Sequence, residues 1–172
     1  DPWEYKAEYL KRLMIDVDKR KQKIQNGEVD PSIYKVFECE KFLSGLQSKG
    51  IKMYAASGTD EKDVKLEAKL LGLDKYFTEI KGAVDGSDCC CKETVLKELV
   101  KSDDGLMVVG DGKVEIALGK EKGAFTIGVA SNDVIGCNDK SFNMQKYERL
   151  KKAGADIIVS DFRDYEKILK IV

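Results

Sequence analysis

The apolar positions of this chain follow two patterns that alternate along it. Apolar residues spaced three and four apart, typical of one face of a helix, cover residues 3–25, 61–71 and 114–121. Between such stretches lie short, wholly apolar runs, such as Ile51–Ala56 and Leu106–Val109. A run of this kind indicates a strand whose two faces are both covered by helices. The alternation therefore predicts an α/β fold with a parallel sheet between helix layers.

The same patterns place the remaining elements. Further strands are predicted at about 79–83, 125–130 and 156–160, and further helices at 31–49, 91–100, 144–153 and 165–172. Asp30 and Pro31 suit the N-cap and first position of the second helix. At 172 residues the chain is long enough for one domain, or for a domain with a small appendage.

Composition narrows the classes of partner. The chain is 42% hydrophobic and 35% charged, which is ordinary for a soluble globular protein. Its 30 basic and 31 acidic residues are interleaved and leave a net charge of -1. Without a basic face, nucleic acid is not an expected partner. No apolar run approaches the ~18 residues of a membrane span, so no membrane partner is expected either.

Cysteine and histidine usage limits the chemistry. The five cysteines lack the spacing of a disulfide framework, which favours reduced thiols and a cytoplasmic protein. Histidine is absent, which excludes His-activated nucleophiles and Cys2His2 zinc sites. The run Cys89-Cys90-Cys91 is interpreted as packing or incidental thiols. The alternative is an oxidation-prone thiol whose pKa is lowered by the neighbouring Lys92.

An acidic loop follows the most compact of the predicted strands. Leu106–Val109 runs into Gly110-Asp111-Gly112, and Glu115 lies four residues after Asp111. Ligands of open α/β sheets bind at the carboxyl ends of the strands, where Asp111 lies. We therefore predict that Asp111 and Glu115 hold a divalent cation. The alternative is a helix-capping aspartate and a surface glutamate.

Two other positions could meet this loop at the same edge of the sheet. Ser57-Gly58-Thr59 offers hydroxyls and backbone amides at a helix start, which is suited to a phosphate, although an ordinary helix cap has the same pattern. Lys92 lies in the first turn of a predicted helix, where the helix dipole disfavours a cation. A lysine at that position either serves the site or extends into solvent.

In this order the motifs resemble those of the haloacid dehalogenase-like superfamily, in particular its phosphatases and phosphoglucomutases with a helical cap. The resemblance covers residues 33–172. It consists of an apolar strand ending in Ser-Gly-Thr-Asp, a lysine opening a later helix, and the segment Val108–Glu115. It implies a three-layer, Rossmann-like parallel sheet as the core.

The resemblance also implies roles for the site residues. Ser57 and Lys92 would be catalytic and would bind phosphate together with Gly58 and Thr59. Asp111 would be catalytic, and Asp111 and Glu115 would bind Mg²⁺. Carboxylate and water ligands suit Mg²⁺ better than zinc. A phosphoryl transition state also requires a cation, an ammonium group and oriented donors.

The implied activity is Mg²⁺-dependent hydrolysis of a small phosphorylated metabolite, such as a sugar phosphate, through an aspartyl-phosphate. A phosphomutase is the alternative within the same class. A non-catalytic domain that binds phosphate or Mg²⁺ for regulation is the alternative from another class. An unrelated nucleotide-binding fold would require a Gly-x-Gly-x-x-Gly fingerprint after a strand, and the sequence has none.

The sequence departs from the family at its first motif. That motif, Asp-x-Asp-x-Thr after an apolar strand, supplies the nucleophile. Asp16-Val17-Asp18 lacks the threonine and falls within a helical stripe, so we predict a helix there and identify no nucleophile. Residues 1–32 are predicted to be the remnant of a helical cap, and 33–172 the core. The chain by itself is expected to be inactive.

The departure has a structural consequence. In the family, the strand that carries the first motif is central and lies between the two strands predicted here at 51–56 and 106–109. Without it, both neighbours would expose apolar edges, which are costly to leave open. We expect a partner segment or a second copy of the chain to cover these edges.

Overall fold

The computed structural model describes residues 2–83, 93–94, 96–97, 105–132 and 140–172. Helices and strands alternate in them as predicted. The helices are α1 (Pro2–Gln25), α2 (Cys39–Ser48), α3 (Glu61–Leu70), α4 (Lys113–Glu121), α5 (Met144–Lys152) and α6 (Tyr165–Ile168), and the strands are β1 (Tyr54–Asp60), β2 (Glu79–Ala83), β3 (Met107–Gly110), β4 (Phe125–Val129) and β5 (Ile157–Val159). Of the helix predicted at 91–100, residues 93–94 and 96–97 are helical and the others lie outside the described residues.

All the described strand pairs are parallel, as predicted. They form two sheets, one of β1 and β2 and one in the order β3–β4–β5. Within the described ranges, no ladder of hydrogen bonds joins β1 to β3. That the family's sheet has a further strand between these two, which this chain lacks, stays a prediction.

Helices cover both faces of the β3–β4–β5 sheet. Ile127 and Val129 of β4 face a core cluster that contains Phe42 and Leu46 of α2. On the other face, a Cβ placed on Gly128 would lie 3.1 Å from Leu150 of α5. This alternation along one strand gives the three layers of a Rossmann-like core.

The two sheets share one hydrophobic cluster. Phe42 and Phe162 stack with their ring centroids 4.5 Å apart at its centre. Residues at or just before the strand starts pack against this cluster from both sheets: Met53, Tyr76, Phe77, Met107 and Phe125. The second sheet also packs against it through Val129 and Val159, at the carboxyl ends of β4 and β5, so the cluster extends along that sheet.

The first strand differs from its prediction. It begins at Tyr54, later than predicted, and continues through Ser57-Gly58-Thr59, which the sequence pattern places at a helix start. The ladder pairs Ala56 with Lys81 and Asp60 with Ala83, so three residues of β1 lie opposite one of β2. This segment is thus a bulge, because pairing with β2 resumes after it.

The second predicted helix is also different, because it is broken. Asp30 caps a 3₁₀ turn, Pro31–Tyr34, by accepting the Ser32 N–H at 2.7 Å, and α2 begins only at Cys39. The backbone at Glu38 has a φ of 60°, in the left-handed region. Because of the break, Phe37 lies outside a helix. Its carbonyl accepts the N–H of Phe162 at 3.0 Å.

The described helices also bear on the membrane prediction. None of them combines the length and the apolar character that crossing a bilayer requires.

The last helix is shorter than predicted and ends at Ile168.

A partly exposed polar network joins the second sheet to α4. Asp156 Oδ2 accepts the Thr126 N–H and the Thr126 hydroxyl, both at 2.8 Å, and Asp156 Oδ1 accepts from Lys120 Nζ at 2.7 Å. The hydrogen bond from Lys120, followed by that from the Thr126 backbone, lowers the pKa of Asp156 to about 2. The ionised form of Asp156 is therefore the one that stabilises the fold.

We predict that Asp156→Asn lowers the free energy of unfolding by about 1–2 kcal/mol at pH 7. Because the folded-state pKa is below the ordinary value of 3.8, the contribution is complete above that pH and is lost as pH falls toward 2. Urea denaturation followed by circular dichroism at pH 7, 4 and 3 measures it. Asp164→Asn, at an exposed pair with Lys167, is the control and should have a much smaller effect. A loss that is equal at all three pH values would contradict the prediction.

Candidate functional site

The acidic loop lies between β3 and α4, where the sequence places it. β3 ends at Gly110, and α4 begins at Lys113 with Gly112 as its N-cap. A glycine has no side chain with which to cap the helix. Instead, Glu115 Oε1 accepts the backbone N–H of Gly112 at 2.8 Å. The glutamate thus satisfies one of the amides that a helix start leaves unpaired, and it fixes the end of the loop.

Both glycines of this loop leave room for the side chain of Glu115. A Cβ on Gly110 would lie 2.5 Å from Glu115 Cγ, and a Cβ on Gly112 would lie 2.7 Å from Glu115 Oε2. Atoms that close would clash, so any larger residue would displace the glutamate. Glu115 is therefore turned toward the backbone of the loop. The role of Glu115 as a metal ligand remains a prediction.

Asp111 projects from this loop toward solvent. Its side chain is 63% exposed, and its Oδ2 lies 3.3 Å from the ammonium of Lys146, whose side chain is only 10% exposed. The N-cap Asn143 accepts the backbone N–H of Lys146 at 3.1 Å and so fixes the first turn of α5. A buried ammonium group thus meets an exposed carboxylate at the carboxyl edge of the sheet.

Lys146 is not among the site residues predicted from the sequence. The signal was nevertheless present, because Lys146 lies in the first turn of a predicted helix, the same feature that selected Lys92. Lys92 itself and the run Cys89–Cys91 lie outside the described residues.

The other predicted site residues lie on two different elements. Ser57-Gly58-Thr59 forms the bulge at the carboxyl end of β1, and the Ser57 hydroxyl accepts the Thr59 N–H at 3.2 Å. The bulge thus lies at the carboxyl end of β1, and Asp111 directly follows the carboxyl end of β3. Asp16 and Asp18 lie in α1 with exposed side chains, which confirms the predicted helix and places neither residue after a strand.

The donors for a metal ion are few in the described part of the chain. It contains no group of three or more acidic, cysteine or histidine residues that could hold one. Mg²⁺ commonly uses one or two carboxylates and completes its shell with water and phosphate oxygens. The exposed carboxylate of Asp111 fits this mode of binding. The described residues do not fit an ion whose ligands all come from the protein.

Comparison with known proteins identifies the family. A family model described as haloacid dehalogenase-like hydrolase matches residues 4–129, which is more than half of the chain. The chain belongs to the haloacid dehalogenase-like hydrolases. This confirms the family proposed from the motifs, and it decides against an unrelated nucleotide-binding fold. No curated protein matches the chain significantly.

Solved structures confirm the haloacid dehalogenase-like fold. The “predicted phosphatase from Clostridium acetobutylicum” aligns with a TM-score of 0.60 and 26% identity over 78% of this chain and 59% of its own. The “putative beta-phosphoglucomutase from Thermotoga maritima” aligns with a TM-score of 0.56 and 25% identity over 77% and 58%. The “Putative Phosphatase from Clostridium difficile” gives 0.60 and 21% identity over 78% and 60%. The chain thus spans about 60% of the length of these structures.

We predict that Glu115→Ala lowers the free energy of unfolding by about 0.5–2 kcal/mol, because the Gly112 N–H loses its acceptor. Glu115→Gln keeps an oxygen that can accept this hydrogen bond and should retain most of the stability. Urea denaturation without added metal compares the two variants. Gly105→Ala serves as a control substitution, since a Cβ there meets nothing within 4 Å. Equal losses in both Glu115 variants would contradict the capping role.

Proposed function

We propose that this chain forms most of the core of a Mg²⁺-dependent phosphohydrolase that acts on a small phosphorylated metabolite, such as a sugar phosphate. The observation that carries the proposal is the Asp111 loop. It follows strand β3 of a haloacid dehalogenase-like sheet, is fixed by Glu115, and lies beside the ammonium of Lys146. A carboxylate fixed in place beside a cation is suited to binding a phosphate together with a metal ion.

The roles of the residues follow from their positions. Asp111 would hold Mg²⁺, with Glu115 assisting by fixing the loop or through a water. The ion, when bound, supplies positive charge that stabilises the phosphoryl group during transfer. The Ser57 and Thr59 hydroxyls and the Gly58 amide would hold phosphate oxygens. Lys92 would neutralise charge on the phosphate, as the resemblance implies.

The nucleophile is the part of the proposal that these residues do not supply. An aspartyl-phosphate requires an aspartate at the carboxyl end of a strand, and Asp16 and Asp18 lie on a helix. We propose that a further segment, or a second copy of the chain, adds a strand between β1 and β3. Val109 of β3 supports this, because it is a large apolar residue that is 37% exposed.

Particular observations favour two alternative functions. The likeness to the “putative beta-phosphoglucomutase” makes a phosphomutase the alternative reaction. The absence of an identified nucleophile favours a non-catalytic domain that binds phosphate or Mg²⁺ for regulation. A cytoplasmic location, expected from the cysteines, is part of the proposal.

The activity is tested with p-nitrophenyl phosphate and Mg²⁺. We expect no turnover by this chain alone. A longer gene product whose upstream segment contains Asp-x-Asp-x-Thr should turn over the substrate. In that longer form, Asp111→Asn should lower kcat by about 100-fold or more, because it removes the proposed metal ligand. Chelation of Mg²⁺ should abolish the activity.

The controls separate the alternatives. If this chain is active and Asp16→Asn abolishes its activity, the helix assignment does not describe the active form. A gene product without an upstream Asp-x-Asp-x-Thr segment, and without turnover, would support the non-catalytic alternative. Interconversion of hexose phosphates without release of phosphate would support the mutase.

A further inference from the structure

Lys146 is a cation that the family motifs do not include. Its ammonium reaches Asp111 Oδ2 at 3.3 Å from a different helix, α5, which follows β4. We propose that Lys146 is a positioning residue that couples metal binding to phosphate binding at the Asp111 loop. In this proposal its ammonium lowers the affinity of Asp111 for a divalent cation until a phosphate offsets the positive charge. The inference rests on the function proposed above.

The position of Lys146 is built into the fold. Its side chain is 10% exposed, although lysine is among the side chains that are rarely buried without a partner. The first turn of α5 is fixed by the Asn143 cap, and Tyr147, the next residue, packs edge-on against Phe142 at 5.3 Å. The ammonium is therefore directed by the helix and its packing, whereas an exposed lysine would move freely.

The electrostatics of this position require an anion nearby. The amino end of a helix carries partial positive charge, so a cation in the first turn is disfavoured there. Burial adds the cost of removing the ammonium from water. Asp111 is an anion within reach of this ammonium and offsets part of both costs. If Asp111 bound a divalent cation, the ammonium of Lys146 would lie close to a second positive charge. A bound phosphate would reduce the repulsion between them.

Coupling follows from this arrangement by linkage. If phosphate relieves the repulsion between Lys146 and the metal ion, it must raise the affinity for the metal, and the metal must raise the affinity for phosphate by the same factor. Glu115 cannot replace Lys146 in this role, because it is an anion and its Oε1 is bonded to the Gly112 N–H. The proposal therefore concerns a cation from α5 and is separate from the one predicted at Lys92.

The test uses the full chain with Mn²⁺ as the probe for the metal, followed by electron paramagnetic resonance, with and without inorganic phosphate. For the unsubstituted chain, phosphate should tighten Mn²⁺ binding by about 5-fold or more, within the usual range of coupling between sites. In Lys146→Met, Mn²⁺ should bind more tightly without phosphate, by a factor of similar size. The enhancement by phosphate should be lost.

Two further variants make the result specific. Lys146→Arg keeps the positive charge and should keep the coupling, which a purely structural role for the residue would not require. Lys151→Met changes an exposed lysine in the last turn of the same helix and should behave like the unsubstituted chain. If Lys146→Met does not fold, Lys146→Gln keeps a polar end group and is titrated in its place.

The outcomes distinguish this inference from the function on which it rests. If Asp111→Asn abolishes Mn²⁺ binding but Lys146→Met titrates like the unsubstituted chain, the coupling is refuted and the metal site stands. If coupling is lost in Lys92→Met and retained in Lys146→Met, the coupling cation is Lys92 and the inference is wrong. If no variant binds Mn²⁺ with or without phosphate, both the metal site and the inference fail.

Discussion

The packing of two separate sheets onto one hydrophobic cluster is the constraint on which this structure depends. Because β1 and β3 share no ladder in the described ranges, backbone hydrogen bonds do not fix one sheet against the other. The stacked rings of Phe42 and Phe162, with the strand starts packed around them, perform that function. Packing onto this cluster therefore sets how the bulge of β1 and the Asp111 loop lie relative to each other. The site depends on a core that contains none of its residues.

Each half of the site is nevertheless ordered by its own neighbours. The Asp111 loop is fixed by Glu115, which bonds to Gly112 and fills the space that two side chains would take. The bulge of β1 is closed by Gly82, where a Cβ would lie 2.3 Å from the Cα of Glu61. Glycines permit both close approaches, because only a residue without a side chain lets another part of the chain come that near.

Much of the fold and part of the site were predictable from the sequence, for identifiable reasons. The apolar runs gave β3, β4 and β5 to within about two residues, because buried parallel strands have no polar face to blur the pattern. The bulge at Ser57–Thr59 was not predictable, since it depends on pairing with β2, which a local pattern does not contain. The break at Glu38 was missed for a similar reason, because the Phe37 carbonyl bonds to Phe162, far along the chain. Asp111 followed from its place after a strand, whereas Lys146 reaches it only through tertiary packing.

The independence of the two halves bears on how a missing strand could complete the site. A strand supplied between β1 and β3 would meet an Asp111 loop held by Glu115 and a bulge held by β2, so neither half would have to fold on its arrival. Binding of that strand would then cost mainly its own ordering, which is the advantage of a preorganised partner. The hydrogen-bonding edges of two parallel strands would be open to it, and main-chain bonds of this kind supply affinity for an added strand. Val109, exposed at 37%, would become buried in the process. Apolar burial and edge pairing would thus act in the same direction, toward a single sheet with the nucleophile between Ser57 and Asp111.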